Sequence, residues 1–222
     1  MAESKSFYKK FKSSSGILIK GSAMVEDRSL AIASKTIERM ISKRVDIKSR
    51  LLKNYAEVAV IAKNESYCDL PEAFDLKNKK TFDGRDFCKI CGGGGVIGRP
   101  ITAICEDNLL KTEKDPYYGK EDILTHEFAH TMHILGMSEA DKKTVSTLYK
   151  AAKNKGNFNK NRHAEPAYMM ANEEEFFACL SMVWFNVQNP QSSSLSPELK
   201  SREAIRLKLP DMYYFLESIY PK

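Results

Sequence analysis

The sequence predicts an α+β fold, with an N-terminal α/β lobe followed by a mainly helical C-terminal lobe. Three observations predict it. The first sixty residues alternate strand, helix, helix and strand patterns. From Glu139 onward every strongly patterned segment has helical spacing. Between them, residues 63–100 are polar and irregular, with turn signals at Asp69-Leu70-Pro71 and Asp83-Gly84. The chain has 222 residues, 42% hydrophobic and 29% charged, which is enough to bury a sizeable core. The expected organisation is a flexible arm at 1–15 and one domain at 16–222. Its α/β lobe runs to 136, and its helical lobe spans 137–222.

Taken in order, the Ser- and Lys-rich residues 1–15 read as the arm. Gly16–Lys20 reads as a short strand. Asp27 is the expected N-cap of a helix in which Leu30, Ala33, Ile37, Met40, Ile41 and Val45 recur at helical spacing. A short helix near Ile47–Leu52 follows. Tyr55–Ala62 is almost continuously apolar, as a buried strand requires. Gly92-Gly93-Gly94-Gly95 lacks the Lys-Ser/Thr of a phosphate loop. It reads as a flexible connection, or as a place where backbone passes close to a ligand. Arg99–Cys105 reads as an edge strand starting at Pro100. Glu139–Lys150 is helical, and Lys153–His163 is a polar loop. Asn172 is a natural N-cap for a helix over Glu175–Asn186, apolar almost all round and therefore buried. Asn189–Ser194 reads as a linker-like loop. Ser196-Pro197-Glu198 is expected to open another helix, and Asp211 to cap a last aromatic one.

Several function classes are disfavoured by composition. The net charge is only +6 and the Lys residues are scattered, without interleaved aromatics, so nucleic-acid binding is not expected. No apolar run approaches the ~20 residues of a membrane span. Met1–Lys20 contains no uninterrupted apolar signal core. Of the five cysteines, Cys88-x-x-Cys91 is half a zinc ribbon without its second half. Disulfides among Cys68, Cys88, Cys91 and Cys105 are expected in an exported protein, and free thiols otherwise.

The sharpest signal is His126-Glu127-Phe128-Ala129-His130. On a helix, residues four apart lie one above the other, so His126 and His130 can hold one Zn2+. Glu127 then becomes the base for an activated water. Three of the four histidines in the chain fall within eight residues here. Leu124, Phe128, Thr131 and Leu135 form the packed back of the helix, and Gly136 is its stop. His133 is expected to line a wet cleft, and His163 to sit on a surface loop. A third ligand is needed. One class of zinc hydrolase takes a later His with a Gly between. Here His133 fills the Gly slot and Gly136 the His slot, so that spacing fails. The other class takes a Glu on a later helix. Glu175 fits, because a carboxylate opening a buried helix needs a strong partner.

Tyr168-x-x-x-Asn172-Glu173-x-Glu175-Phe176-Phe177-Ala178 resembles the matching stretch of the anthrax lethal factor catalytic domain and its relatives, gluzincin-type metallopeptidases. Weaker echoes of a less characterised branch are Asp69-Leu70-Pro71-Glu72, Glu106-x-Asn108-Leu109-Leu110 and Trp184-Phe185. The resemblance spans roughly residues 16–220. It implies a zincin-like fold with the zinc cleft between the lobes. It also implies His126, His130 and Glu175 as zinc ligands, Glu127 as general base and Tyr168 as donor to the oxyanion or leaving amine. Since many relatives are exported, it implies secretion. The family usually has a second Glu four residues after the zinc Glu; here that position is Cys179. Cys179 is a small buried side chain on one reading and an extra soft ligand on another. The expected function is a zinc metalloendopeptidase acting on peptide or protein substrates, with the strand at Ile101–Cys105 along the substrate. The alternatives are a catalytically weak zinc-binding scaffold that captures a partner protein, and a zinc hydrolase acting on another amide.

Overall fold

The computed structural model describes residues 7–189, 191, 192 and 194–222. Its centre is a five-stranded sheet. The strands are β1 (Lys10–Ser14), β2 (Ile17–Gly21), β3 (Glu57–Ile61), β4 (Gly92–Gly93) and β5 (Ile101–Cys105), in the spatial order β1-β2-β3-β5-β4. The inner strands β2, β3 and β5 are parallel, and the two outer strands run antiparallel to their neighbours. The apolar run is explained by burial on both faces over Val58–Ala62, whereas Tyr55, expected in the strand, lies before it and is exposed. Val58 and Val60 join the main core, whereas Ala59 and Ile61 join a smaller cluster with Tyr67, Leu70 and Leu76.

Helices α1 (Asp27–Ile41) and α2 (Val45–Lys53) connect β2 to β3, and α3 (Glu106–Leu110) follows β5. Helix α4 (Ile123–Thr131) carries the His motif and runs on into a wider π-type turn over Met132–Gly136. The last carbonyls of that turn are satisfied from α2. Arg50 Nε donates to Gly136 O at 2.5 Å, and Asn54 Nδ2 donates to Leu135 O at 2.7 Å. Helices α5 (Glu139–Lys155), α6 (Glu173–Phe185), α7 (Arg202–Lys208) and α8 (Pro210–Ile219) complete the chain. Buried α6 is wrapped by the C-terminus: Trp184 Nε1 donates to Pro221 O, and Ser181 Oγ meets Tyr220 Oη. No helix among the described residues is long and apolar enough to cross a membrane.

Several expectations are corrected. The arm was expected to reach residue 15. Residues 1–6 lie outside the described residues, but Lys10–Ser14 is strand β1, paired with β2. It is anchored by Lys10 Nζ, which bonds Val25 O and Asp27. That pairing also takes the Asp27 side chain away from capping; Glu26 is the N-cap of α1. Val45 is not in the core stripe but exposed at the start of α2. Strand β5 is interior, because the glycine run pairs outside it as β4. Ser196-Pro197-Glu198 forms a turn; α7 begins at Arg202, where the Ser201 side chain accepts from Ala204 N. Leu209, not Asp211, precedes α8, with Pro210 as its first residue. Of the linker-like loop Asn189–Ser194, Pro190 and Ser193 lie outside the described residues.

The four cysteines of the α/β lobe form two disulfides, Cys68–Cys88 and Cys91–Cys105. The second closes a short loop and ties β4 to β5, so it should stabilise by about 3 kcal/mol through the unfolded chain. Replacing Cys91 and Cys105 together by Ala should lower stability by that order in denaturant titration.

Candidate active site

The first turn of α4 is fixed from outside the helix. The Asp122 side chain accepts from Thr125 N, and buried Asn108 accepts from Ile123 N while donating to Glu121 O. His126 and His130 then face the same way, with their Nε2 atoms 3.1 Å apart. Helix α6 brings in the third group. Asn172 caps it by accepting from Glu175 N at 2.8 Å, and Glu175 is turned toward the histidines. Glu175 Oε2 lies 3.1 Å from His126 Nε2 and 3.5 Å from His130 Nε2.

Glu175 Oε2 converges on both imidazoles without a hydrogen bond to either. Glu175 is 5% exposed, yet its Oε2 has no hydrogen-bond partner. A tetrahedral ion with arms of about 2.0–2.1 Å separates its ligands by roughly 3.3 Å, which matches these edges. The donor set therefore fits a zinc-like cation. Burial works against the Glu175 charge, but the two imidazoles beside it more than offset this and hold its carboxyl below the usual range. Cys179, one turn further along α6, lies in the same group. Its Sγ is within 4.8 Å of the donor atoms of His126 and Glu175, and burial pushes its thiol up.

Glu127 sits beside this group in a cleft of about 520 Å³. Burial, with Glu175 as a like-charged neighbour, pushes its carboxyl up to about 7, while His130 and the Gly94 N–H act in the other direction. Tyr168 does not point freely at the cleft. Its Oη donates to Glu175 Oε1 at 3.0 Å, and its ring stacks on Phe82. Burial and the nearby Glu175 raise its phenol, so it keeps its proton at neutral pH.

The glycine run borders the helix directly. A Cβ on Gly94 would lie 2.6 Å from His130 Cβ, and one on Gly93 would lie 2.6 Å from Tyr67 Oη. Thr131 locks the seam: its Oγ1 accepts from Gly95 N at 2.7 Å and meets Thr102 Oγ1 at 2.6 Å. The sequence offered the glycines as a flexible connection or as backbone passing close to a ligand; the close approach is to the His helix. Sequence reasoning passed over Glu121, Arg85 and Tyr117, which line the cleft without belonging to any motif.

His133 is a correction. It does not line the cleft but is 4% exposed, packed against Phe177, with both ring nitrogens unpartnered. The π-type turn starts at Met132, so His133 no longer follows the face set by His126 and His130. His163 is on an exposed loop, as expected.

No protein-family profile matches the chain, and no curated protein matches it in sequence. Among solved structures, the chain is similar to the Pro-Pro endopeptidase PPEP-2 from Paenibacillus alvei, at TM-score 0.58 and 14% identity, covering 91% of this chain and 97% of that one. The two chains share a fold. At that identity the likeness concerns the α+β architecture of a peptidase and not the lethal factor-like branch, which rests on the sequence motifs alone.

Burial pushes His133 down to about 4. Its neutral form belongs to the folded state, and the unfolded chain takes up a proton near pH 6.5. Stability is therefore lost as pH falls from about 6.5 to about 4, by roughly 3 kcal/mol. His133→Leu loses no hydrogen bond, so it should flatten this acid limb of a stability–pH curve while leaving neutral stability intact or higher.

Proposed function

We propose that the protein is a gluzincin-type zinc endopeptidase of the lethal factor-like branch. One observation carries this reading: His126 Nε2, His130 Nε2 and Glu175 Oε2 converge to 3.1–3.5 Å beside Glu127. The fold shared with an endopeptidase supports it. His126, His130 and Glu175 would hold the ion. When bound, zinc supplies a Lewis acid that polarises a carbonyl and acidifies water at neutral pH.

The remaining work falls to the chain. Glu127, with a carboxyl near neutrality, takes the proton of the attacking water on its carboxylate and returns it to the leaving nitrogen. The Gly94 N–H orients that carboxylate. Tyr168 retains its proton and is the donor for the developing oxyanion; its bond to Glu175 Oε1 holds the carboxylate between turnovers. Because β5 is interior, the substrate partner is the outer edge of β4, where an extended peptide can add as a strand. Two disulfides in so short a stretch suit an oxidising compartment, which agrees with export.

A weakly catalytic scaffold is favoured by one observation, the neutral Cys179 in place of a carboxylate next to Glu175. Substitution separates the two readings. Glu127→Gln should retain about one zinc per chain and lose peptide cleavage by about 10²–10⁴-fold. Tyr168→Phe should reduce kcat by about 10²–10³-fold, with a smaller effect on KM. A wild-type protein that binds zinc but shows no chelator-sensitive cleavage of a proteome-derived peptide library is the scaffold.

A further inference from the structure

The cleft carries more carboxylates than its chemistry uses. Asp83, Glu121, Glu127, Glu174 and Glu175 line it, against Arg85 and Arg99. Both arginines are already committed, Arg85 to Asp83 at 2.9 Å and Arg99 to Asp75 at 2.7 Å. This acidic lining belongs to a chain whose net charge is +6.

Glu121 is the buried carboxylate with no role so far. It is 7% exposed and has no Lys, Arg or His salt-bridge partner among the described residues. A charge buried this deeply is unfavourable unless it is compensated. Its desolvation raises the carboxyl, and the Ser192 hydroxyl, the nearby His126, an Asn189 backbone N–H and Lys111 only partly offset that. Its main chain is held rigidly: Asn108 Nδ2 and Lys111 Nζ both donate to Glu121 O.

A second group at the same wall is unsatisfied. Asp122 N donates to Val187 O at 3.0 Å, which sets Gln188 across from Glu121. Gln188 lines the cleft and is 7% exposed. Its Nε2 donates to Lys200 O at 2.9 Å, which fixes the amide, and its Oε1 is left without a partner. Apolar walls flank the pair, from Met182 on α6 and Leu195. A buried carboxylate and a free amide oxygen thus add two acceptors to this wall of the cleft, near His126. Apolar stem and multi-donor cationic head are the two halves of a lysine or arginine side chain.

We infer that Glu121 and Gln188 form a subsite for a lysine or arginine side chain of the peptide, so that the enzyme selects substrates with a basic residue near the scissile bond. The inference rests on the endopeptidase reading for the word substrate, but binding tests it separately from turnover. Zinc-loaded Glu127→Gln protein is titrated with short capped peptides that differ at one position, carrying Lys, Arg, norleucine or Glu, with that position moved along the peptide. At one position Lys or Arg should bind about tenfold or more tightly than norleucine, and Glu should bind weakest. Adding Glu121→Gln should remove that preference, with thermal melting and zinc content unchanged. Equal binding of norleucine and Lys at every position overturns the subsite, whether or not any peptide is cleaved. Loss of zinc in Glu121→Gln, with no basic preference in its parent, also overturns it and makes Glu121 a positioning residue for His126. If basic peptides are preferred in binding but no library peptide is cut by wild type, the endopeptidase reading fails and the subsite stands.

Discussion

The active site depends on a close approach between backbone and helix. Strand β4 and the two glycines after it lie so near α4 that Cβ atoms on Gly92 and Gly94 would overlap Glu127 and His130. No side chain separates the sheet edge from the His helix. This gives a backbone N–H to Glu127, keeps the outer edge of β4 open, and fixes the distance from that edge to the histidines. The Cys91–Cys105 disulfide and the Thr131 hydroxyl hold the seam from two sides. Glycine in a strand normally weakens it, so this edge relies on those ties.

The same crowding determines how charge is handled. Helix α6 is apolar almost all round, and it presents Glu175 at its buried first turn. Its Oε2 is unpartnered while two imidazole nitrogens lie close by, a set that a cation completes. His133 solves the burial problem the other way, by staying neutral against Phe177. Three histidines close in sequence thus have two environments, and the π-type turn after Thr131 is what separates them.

The helices and the candidate metal donors were readable for different reasons. A four-residue His spacing and a failed Gly/His pattern pointed to a carboxylate ligand, and the structure brings Glu175 to both imidazoles. Continuous apolar sequence marked β3 and α6, and periodicity marked α1. Strands β1 and β4 were not legible, because their residues carry no apolar alternation: one is Lys-Phe-Lys-Ser-Ser and the other Gly-Gly. Their pairing is set by neighbours. With β4 missing, β5 looked like an edge, and an extended peptide was expected against a strand whose two sides are already paired. Glu121 and Gln188 were also invisible, since 67 positions separate them and only the bond from Asp122 N to Val187 O aligns them.

Cys179 follows from this charge distribution. It is 1% exposed, and after burial the influences that raise its thiol are Glu175, Glu121 and Glu127. A glutamate at that position would add a fourth carboxylate to this low-dielectric neighbourhood. Like charges that close either force one group to take up a proton or push the side chains apart. With Glu121 already buried on the α4 side of the cleft, a neutral residue on α6 lets Glu175 stay charged. The further buried carboxylate of the cleft is Glu121, in the segment leading into α4, where it lines the cleft across from that neutral thiol.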